Sequence, residues 1–166
     1  STDARRNLPW ATALFSADVM GMTNRREHIE SFSRHRFLAI PPDQRGELRG
    51  VEYLTRLRLL GLSEVLGCVH LGGTSGYAAL NLAVLKGAKE IVLLGYDYSG
   101  TDRWYPDYDW SSRGRGQFEH EEWARNFDTM LPALAVAGVK VTNASPESKI
   151  TAFPKVELNQ VLEVFV

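Results

Sequence analysis

Apolar and polar positions alternate in short blocks along this chain, and the period of the pattern changes from block to block. Five runs read as strands: residues 13–17, ending at Asp18; 36–40, stopped by Pro41-Pro42; 66–71; 90–95; and 139–142. The run at 90–95 is apolar without interruption, the pattern of a strand covered on both faces. Between and after these runs the period lengthens to that of a helix. Over 47–60, Val51, Leu54, Leu57 and Leu60 recur about once per turn. Residues 76–87 are apolar nearly all round, which predicts a deeply buried helix. Residues 119–137 carry a stripe of Trp123, Phe127, Met130, Leu131 and Leu134, with Pro132 predicted to kink or break it. A short helix over 156–163 follows Pro154. Strands alternating with helices predict an α/β fold: a mostly parallel sheet between helical layers, a three-layer α/β/α sandwich. Ligands of such folds sit beyond the carboxyl ends of the strands.

With 166 residues, 44% of them hydrophobic, the chain is expected to form a single domain over 1–166. Cys68 is the only cysteine, which excludes a disulfide framework and a cysteine-built zinc site. No stretch approaches the ~20 apolar residues of a membrane span, and the N-terminal residues carry no apolar signal core. A cytoplasmic protein of a reducing compartment is expected. The net charge of −1 argues against a dedicated nucleic-acid binder. Charge is unevenly spread, however: residues 1–60 hold ten Arg, no Lys and seven acids. Arginines in that number either face phosphates or lie on solvated surfaces. Homo-oligomerisation is left open by the composition.

The strongest local signal is Gly72-Gly73-Thr74-Ser75-Gly76, between a strand and the most apolar helix. Glycines let the backbone turn sharply, and Thr74 or Ser75 can cap the helix. Outward-pointing amides at the positive end of a helix suit a phosphate. No Lys follows the glycines, so this is not a Walker loop, and the spacing is not that of dinucleotide-binding folds. A tight turn with an ordinary cap accounts for the same residues equally well.

Strand 90–95 leads into Tyr96, Asp97 and Tyr98 and a long polar loop. Residues 96–123 hold four of the six Tyr and three of the four Trp. That concentration suits stacking on a base or sugar, so Tyr96, Tyr98 and Trp104 are candidate pocket walls. Asp97, fixed at a strand end, is a candidate for a ribose hydroxyl or a divalent ion. Asp107 is the second candidate for Mg²⁺, whereas Asp102 and Asp109 read as solvated loop acids. Of the four histidines, His28 and His35 read as surface residues and His70 as a packed one. His120, at the end of the aromatic loop, is placed to act as a general base.

Residues 73–83 (Gly73-Thr74-Ser75-Gly76-Tyr77-Ala78-Ala79-Leu80-Asn81-Leu82-Ala83) and 86–97, which end in Leu94-Gly95-Tyr96-Asp97, resemble a group of bacteriophage and prophage proteins of unknown function. That group is in turn similar to the bacterial sialyltransferase fold and to 6-hydroxymethylpterin diphosphokinase-like domains. Residues 9–18, and 143–148 with 153–156, carry the likeness over most of the chain. The resemblance implies a Rossmann-like fold and a nucleotide or nucleotide-sugar ligand. It implies that Thr74, Ser75 and Gly76 contact phosphate, that His120 is the base, and that Asn143, at the end of the last strand, belongs to the ligand-binding set. Relatives begin with an extra strand and a glycine-rich loop, which this chain is expected to lack. They also carry histidines after the Gly-Tyr-Asp segment, where residues 102–107 have none.

Three readings follow. The first is a phage-type, sialyltransferase-like glycosyl transferase domain, cytoplasmic in a bacterial host. The second is a non-catalytic nucleotide-binding or phage accessory module. The third is a Mg²⁺-dependent pyrophosphoryl transferase acting through Asp97 and Asp107.

Overall fold

The computed structural model describes residues 10–18, 26–45, 48–99 and 117–162. The chain divides into two compact units, Ser1–Leu59 with Ser63–Leu85, and Leu60–Leu62 with Lys86–Val166.

The first unit contains β1 (Ala13–Ser16), α1 (Arg26–Ser31), β2 (His35–Ala39), a 3-10 turn (Pro42–Gln44), β3 (Glu52–Leu57), β4 (Cys68–His70) and α2 (Ser75–Leu85). The strands lie in the order β1-β2-β3-β4, and every pairing is parallel. The sequence of β2 shows why both faces must be covered. Phe37 and Ala39 point to one face, where they pack with Ala17, Leu54, Val69 and, from α2, Ala78 and Leu82. Leu38 and Ile40 point to the other, where they meet Leu48 and, from α1, Ile29. Side chains alternate along a strand, so an uninterrupted apolar run feeds both layers. The unit is therefore a parallel sheet with a helix against each face, a Rossmann-like α/β arrangement. Within α2, Tyr77, Ala78, Leu80, Asn81 and Leu82 are buried, as its apolar circumference predicts.

One expected helix is a strand. Residues 47–60 contain β3, and Leu54 is the only one of the four recurrent apolar residues that is fully buried. Leu57 and Leu60 are exposed. Val51 and Tyr53 pack on the α1 side while Leu54 packs on the α2 side. Two-sided coverage hides the period of two that would have marked the strand.

The second unit contains β5 (Glu90–Leu93), α3 (Gln117–Asn126), a 3-10 turn (Phe127–Met130), α4 (Leu131–Ala137), β6 (Lys140–Asn143) and α5 (Leu158–Leu162). β5 and β6 pair in parallel, Glu90 opposite Lys140 through Leu93 opposite Asn143. The predicted break in 119–137 is the 3-10 turn, and Pro132 sits in the first turn of α4, where a missing N–H costs nothing. β5 is shorter and less covered than its sequence predicts: Ile91 and Val92 are half-buried and Leu94 is exposed. No helix among the described residues is long and apolar enough to cross a membrane.

Asn81 ties α2 to the edge of the first unit's sheet. It is fully buried, and its Oδ1 accepts the amide protons of Ser63 (3.1 Å) and His70 (2.9 Å). Its Nδ2 donates to the Ser63 carbonyl at 3.4 Å. Replacement by an apolar residue strands two amides and a carbonyl away from water. Asn81→Leu is expected to lower unfolding stability by about 2–4 kcal/mol, measured by urea denaturation.

Candidate functional site

The segment 71–77 turns the chain from β4 into α2 at the carboxyl end of the sheet. The Leu71 amide donates to Leu57 and the Gly72 amide to Leu59, so the pairing with the β3 segment continues past the strands. The chain then reverses through Gly72 (φ 49°) and Gly73 (φ 97°), a conformation that side chains disfavour. Thr74 closes the turn from both sides: its amide donates to the Leu71 carbonyl at 2.8 Å, and its Oγ1 accepts the Tyr77 amide at 3.2 Å. Thr74 is thus the helix cap. A Cβ on Gly72 would lie 2.3 Å from the Tyr77 ring, which is fully buried. Gly72 is therefore explained by packing. Gly73 is exposed, and the amides of Gly73 and Ser75 take no partner among the described residues. Thr74, Ser75 and Gly76 are half-buried around them.

Arg56 joins this rim. On β3 it lies opposite Val69 of β4 and two residues beyond Leu54, on the face that α2 covers. One guanidinium nitrogen, Nη1, donates to the Ala17 carbonyl at 2.9 Å, which fixes the group over the carboxyl ends of the strands. Its other N–H groups have no hydrogen-bond partner among the described residues. Sequence reasoning missed Arg56 because 47–60 reads as a helix. Alternation across Tyr53, Leu54, Thr55 and Arg56, with an aromatic and a β-branched residue, was the available signal.

The remaining candidates belong to the second unit. Tyr96, Asp97 and Tyr98 follow β5 and are held by the segment after β6. Ser145 Oγ accepts the amides of Gly95 (2.9 Å) and Tyr96 (3.2 Å). Ser148 Oγ donates to the Tyr96 carbonyl, and the Lys149 amide donates to that of Asp97 at 2.8 Å. Asn143 is fully buried, its Oδ1 accepting the Ser145 amide at 3.0 Å. The structure thus brings Tyr96, Asp97, Tyr98 and Asn143 into one network. Sequence reasoning did not single out Ser145 and Ser148, which organise it.

Both tyrosine rings pack edge-on against Phe127, at 6.1 Å for Tyr96 and 5.6 Å for Tyr98. Tyr98 also adopts a left-handed backbone (φ 53°), uncommon for an aromatic residue. The Asp97 side chain is exposed. His120, on α3, is half-buried with its ring 5.0 Å from that of Trp123. Trp104 and Asp107, with Asp102 and Asp109, lie outside the described residues, as does the side chain of His28. His35 is exposed, as expected, and His70 is half-buried. Among the described residues no group of three or more His, Cys, Asp or Glu could hold a metal ion.

No family model, curated protein or solved structure matches this chain.

Burial pushes the Tyr96 phenol from 10.0 up to about 12. The folded protein holds this proton more tightly than the unfolded chain does. The resulting stability is intact below about pH 10 and is lost as the pH rises through about 12, a change of about 3 kcal/mol. Tyr96→Phe is expected to remove that part of the alkaline stability loss, measured by urea unfolding across this pH range.

Proposed function

We propose that the chain is a nucleotide-binding domain whose Gly72–Gly76 turn receives a phosphate group, the ligand being a nucleotide sugar or nucleoside diphosphate. The observation that carries this reading is a pair of amides without a partner among the described residues, Gly73 and Ser75, at the start of an eleven-residue helix. They lie beyond the carboxyl end of a parallel strand, where α/β folds bind ligands. Arg56 supports it by supplying a guanidinium on the same rim, already fixed by the Ala17 carbonyl. Thr74 is occupied as the cap, so Ser75 is the hydroxyl available to the phosphate.

Glycosyl transfer is the activity that the phage and sialyltransferase resemblance implies, and His120 is the residue to which that resemblance gives the role of base. A second reading, a binding module without catalysis, is favoured by how the second unit uses its aromatic groups. Tyr96 and Tyr98 pack on Phe127, and His120 lies against Trp123.

Thermal unfolding with a panel of nucleotides and nucleotide sugars, with and without Mg²⁺, tests both. A ligand at about a hundred times its Kd stabilises by ~2.7 kcal/mol, which raises Tm by about 5–10 °C. A cytidine or other nucleotide is expected to produce this shift without metal, and Arg56→Gln to weaken binding about tenfold or more. Donor turnover lost in His120→Ala supports transfer. Stabilisation without turnover supports the module, and a Tm unmoved by every phosphate ligand contradicts the proposal.

A further inference from the structure

The opposite rim of the same sheet carries a second concentration of positive charge. A cleft of about 560 Å³ is lined by Thr12, Ser33, Arg34, His35, Arg36 and Gly50. These residues precede or begin β1, β2 and β3, so the cleft opens at the amino ends of the strands. The Gly72–Gly76 turn follows the carboxyl end of β4. The two sites are distinct.

Both guanidinium groups in the cleft are held by backbone carbonyls. Arg34 Nη1 donates to Trp10 (3.2 Å) and Ala11 (3.3 Å). Arg36 Nη1 donates to Ile29 and Glu30, each at 3.4 Å, near the end of α1. Carbonyls orient a guanidinium without neutralising it, and neither arginine has a carboxylate partner among the described residues. Arg36 Nε is buried with no hydrogen-bond partner among the described residues. Gly50 keeps the space beside Arg36 clear, since a Cβ there would lie 2.6 Å from Nη2. Two positive groups are thus pre-positioned, with spare N–H donors, beside the hydroxyls of Thr12 and Ser33. The lining contains no acid.

We infer that this cleft binds a phosphate-type oxyanion, carried by a small molecule, between Arg34 and Arg36. Planar fork donors match the oxygens of phosphate, and fixed geometry lowers the cost of ordering two long side chains. The lining hydroxyls add neutral donors that a tetrahedral anion uses more fully than a carboxylate does. The arginines of residues 1–60 thereby acquire a place for two of their ten.

Calorimetric titration of the full chain with pyrophosphate at low ionic strength tests this, with acetate as the planar comparison. The Arg56→Gln protein, weakened at the carboxyl rim, is expected still to bind pyrophosphate. Arg34→Gln keeps an amide donor for the Trp10 and Ala11 carbonyls but removes the charge. In the Arg56→Gln background it is expected to weaken the remaining binding about tenfold or more. Arg34 is exposed, and unchanged circular dichroism and urea unfolding confirm that this variant folds. Binding of acetate as tight as that of pyrophosphate, affinity unaffected by Arg34→Gln, or no pyrophosphate binding in the Arg56→Gln protein overturns the inference. The last result leaves the carboxyl-rim reading intact, because that site is judged from the wild-type nucleotide response.

Discussion

The Tyr77 ring lies where any side chain on residue 72 would have to be, and the shape of the candidate site follows from that contact. A fully buried aromatic ring at the third position of α2 must be covered, and the backbone of the preceding turn covers it. Only glycine can make that approach, and only a left-handed conformation carries the chain from β4 back over the ring. Thr74 then locks the turn with one bond toward the strand and one toward the helix. Packing thus fixes the turn, and the amides of Gly73 and Ser75 are left without a partner among the described residues. Pre-organised donors of this kind add little ordering cost to binding.

The rest of the first unit supports this geometry from below. Asn81, one turn further along α2, satisfies Ser63 and His70 and so holds the helix to the outer strand. Leu54, Val69, Ala78 and Leu82 fill the space between sheet and helix. Arg56 stands at the end of that apolar layer, where the sheet surface gives way to its rim, with the Ala17 carbonyl as anchor. In the second unit hydroxyls play the corresponding part. Ser145 and Ser148 fold the segment after β6 onto Gly95, Tyr96 and Asp97, and Phe127 gathers the two tyrosine rings.

Much of this was legible in the sequence. The apolar runs at 13–17, 36–40, 66–71, 90–95 and 139–142 locate five strands, and the parallel α/β class follows from their alternation with helices. The turn at 72–76 was legible because its glycines and its Thr-Ser pair have few alternative uses. β3 was not, because Leu54 serves one face while Val51 and Tyr53 serve the other, and a three-residue spacing emerged by coincidence. Losing β3 also hid Arg56, which reaches the rim only as a strand residue. The tyrosines at 96 and 98 show another limit. Composition marks them as suited to stacking, but it does not say that their partner is Phe127 of the same unit.

The proposed role of the capped turn, two amides offered to a phosphate, has a direct spectroscopic signature. Backbone ¹⁵N–¹H chemical shifts followed during titration with a nucleoside diphosphate report on those groups directly. Saturable shifts are expected at Gly73 and Ser75, with the Arg56 side-chain N–H signals moving on the same binding curve. Resonances of 72–76 that stay in place while the ligand binds elsewhere on the chain would contradict that role.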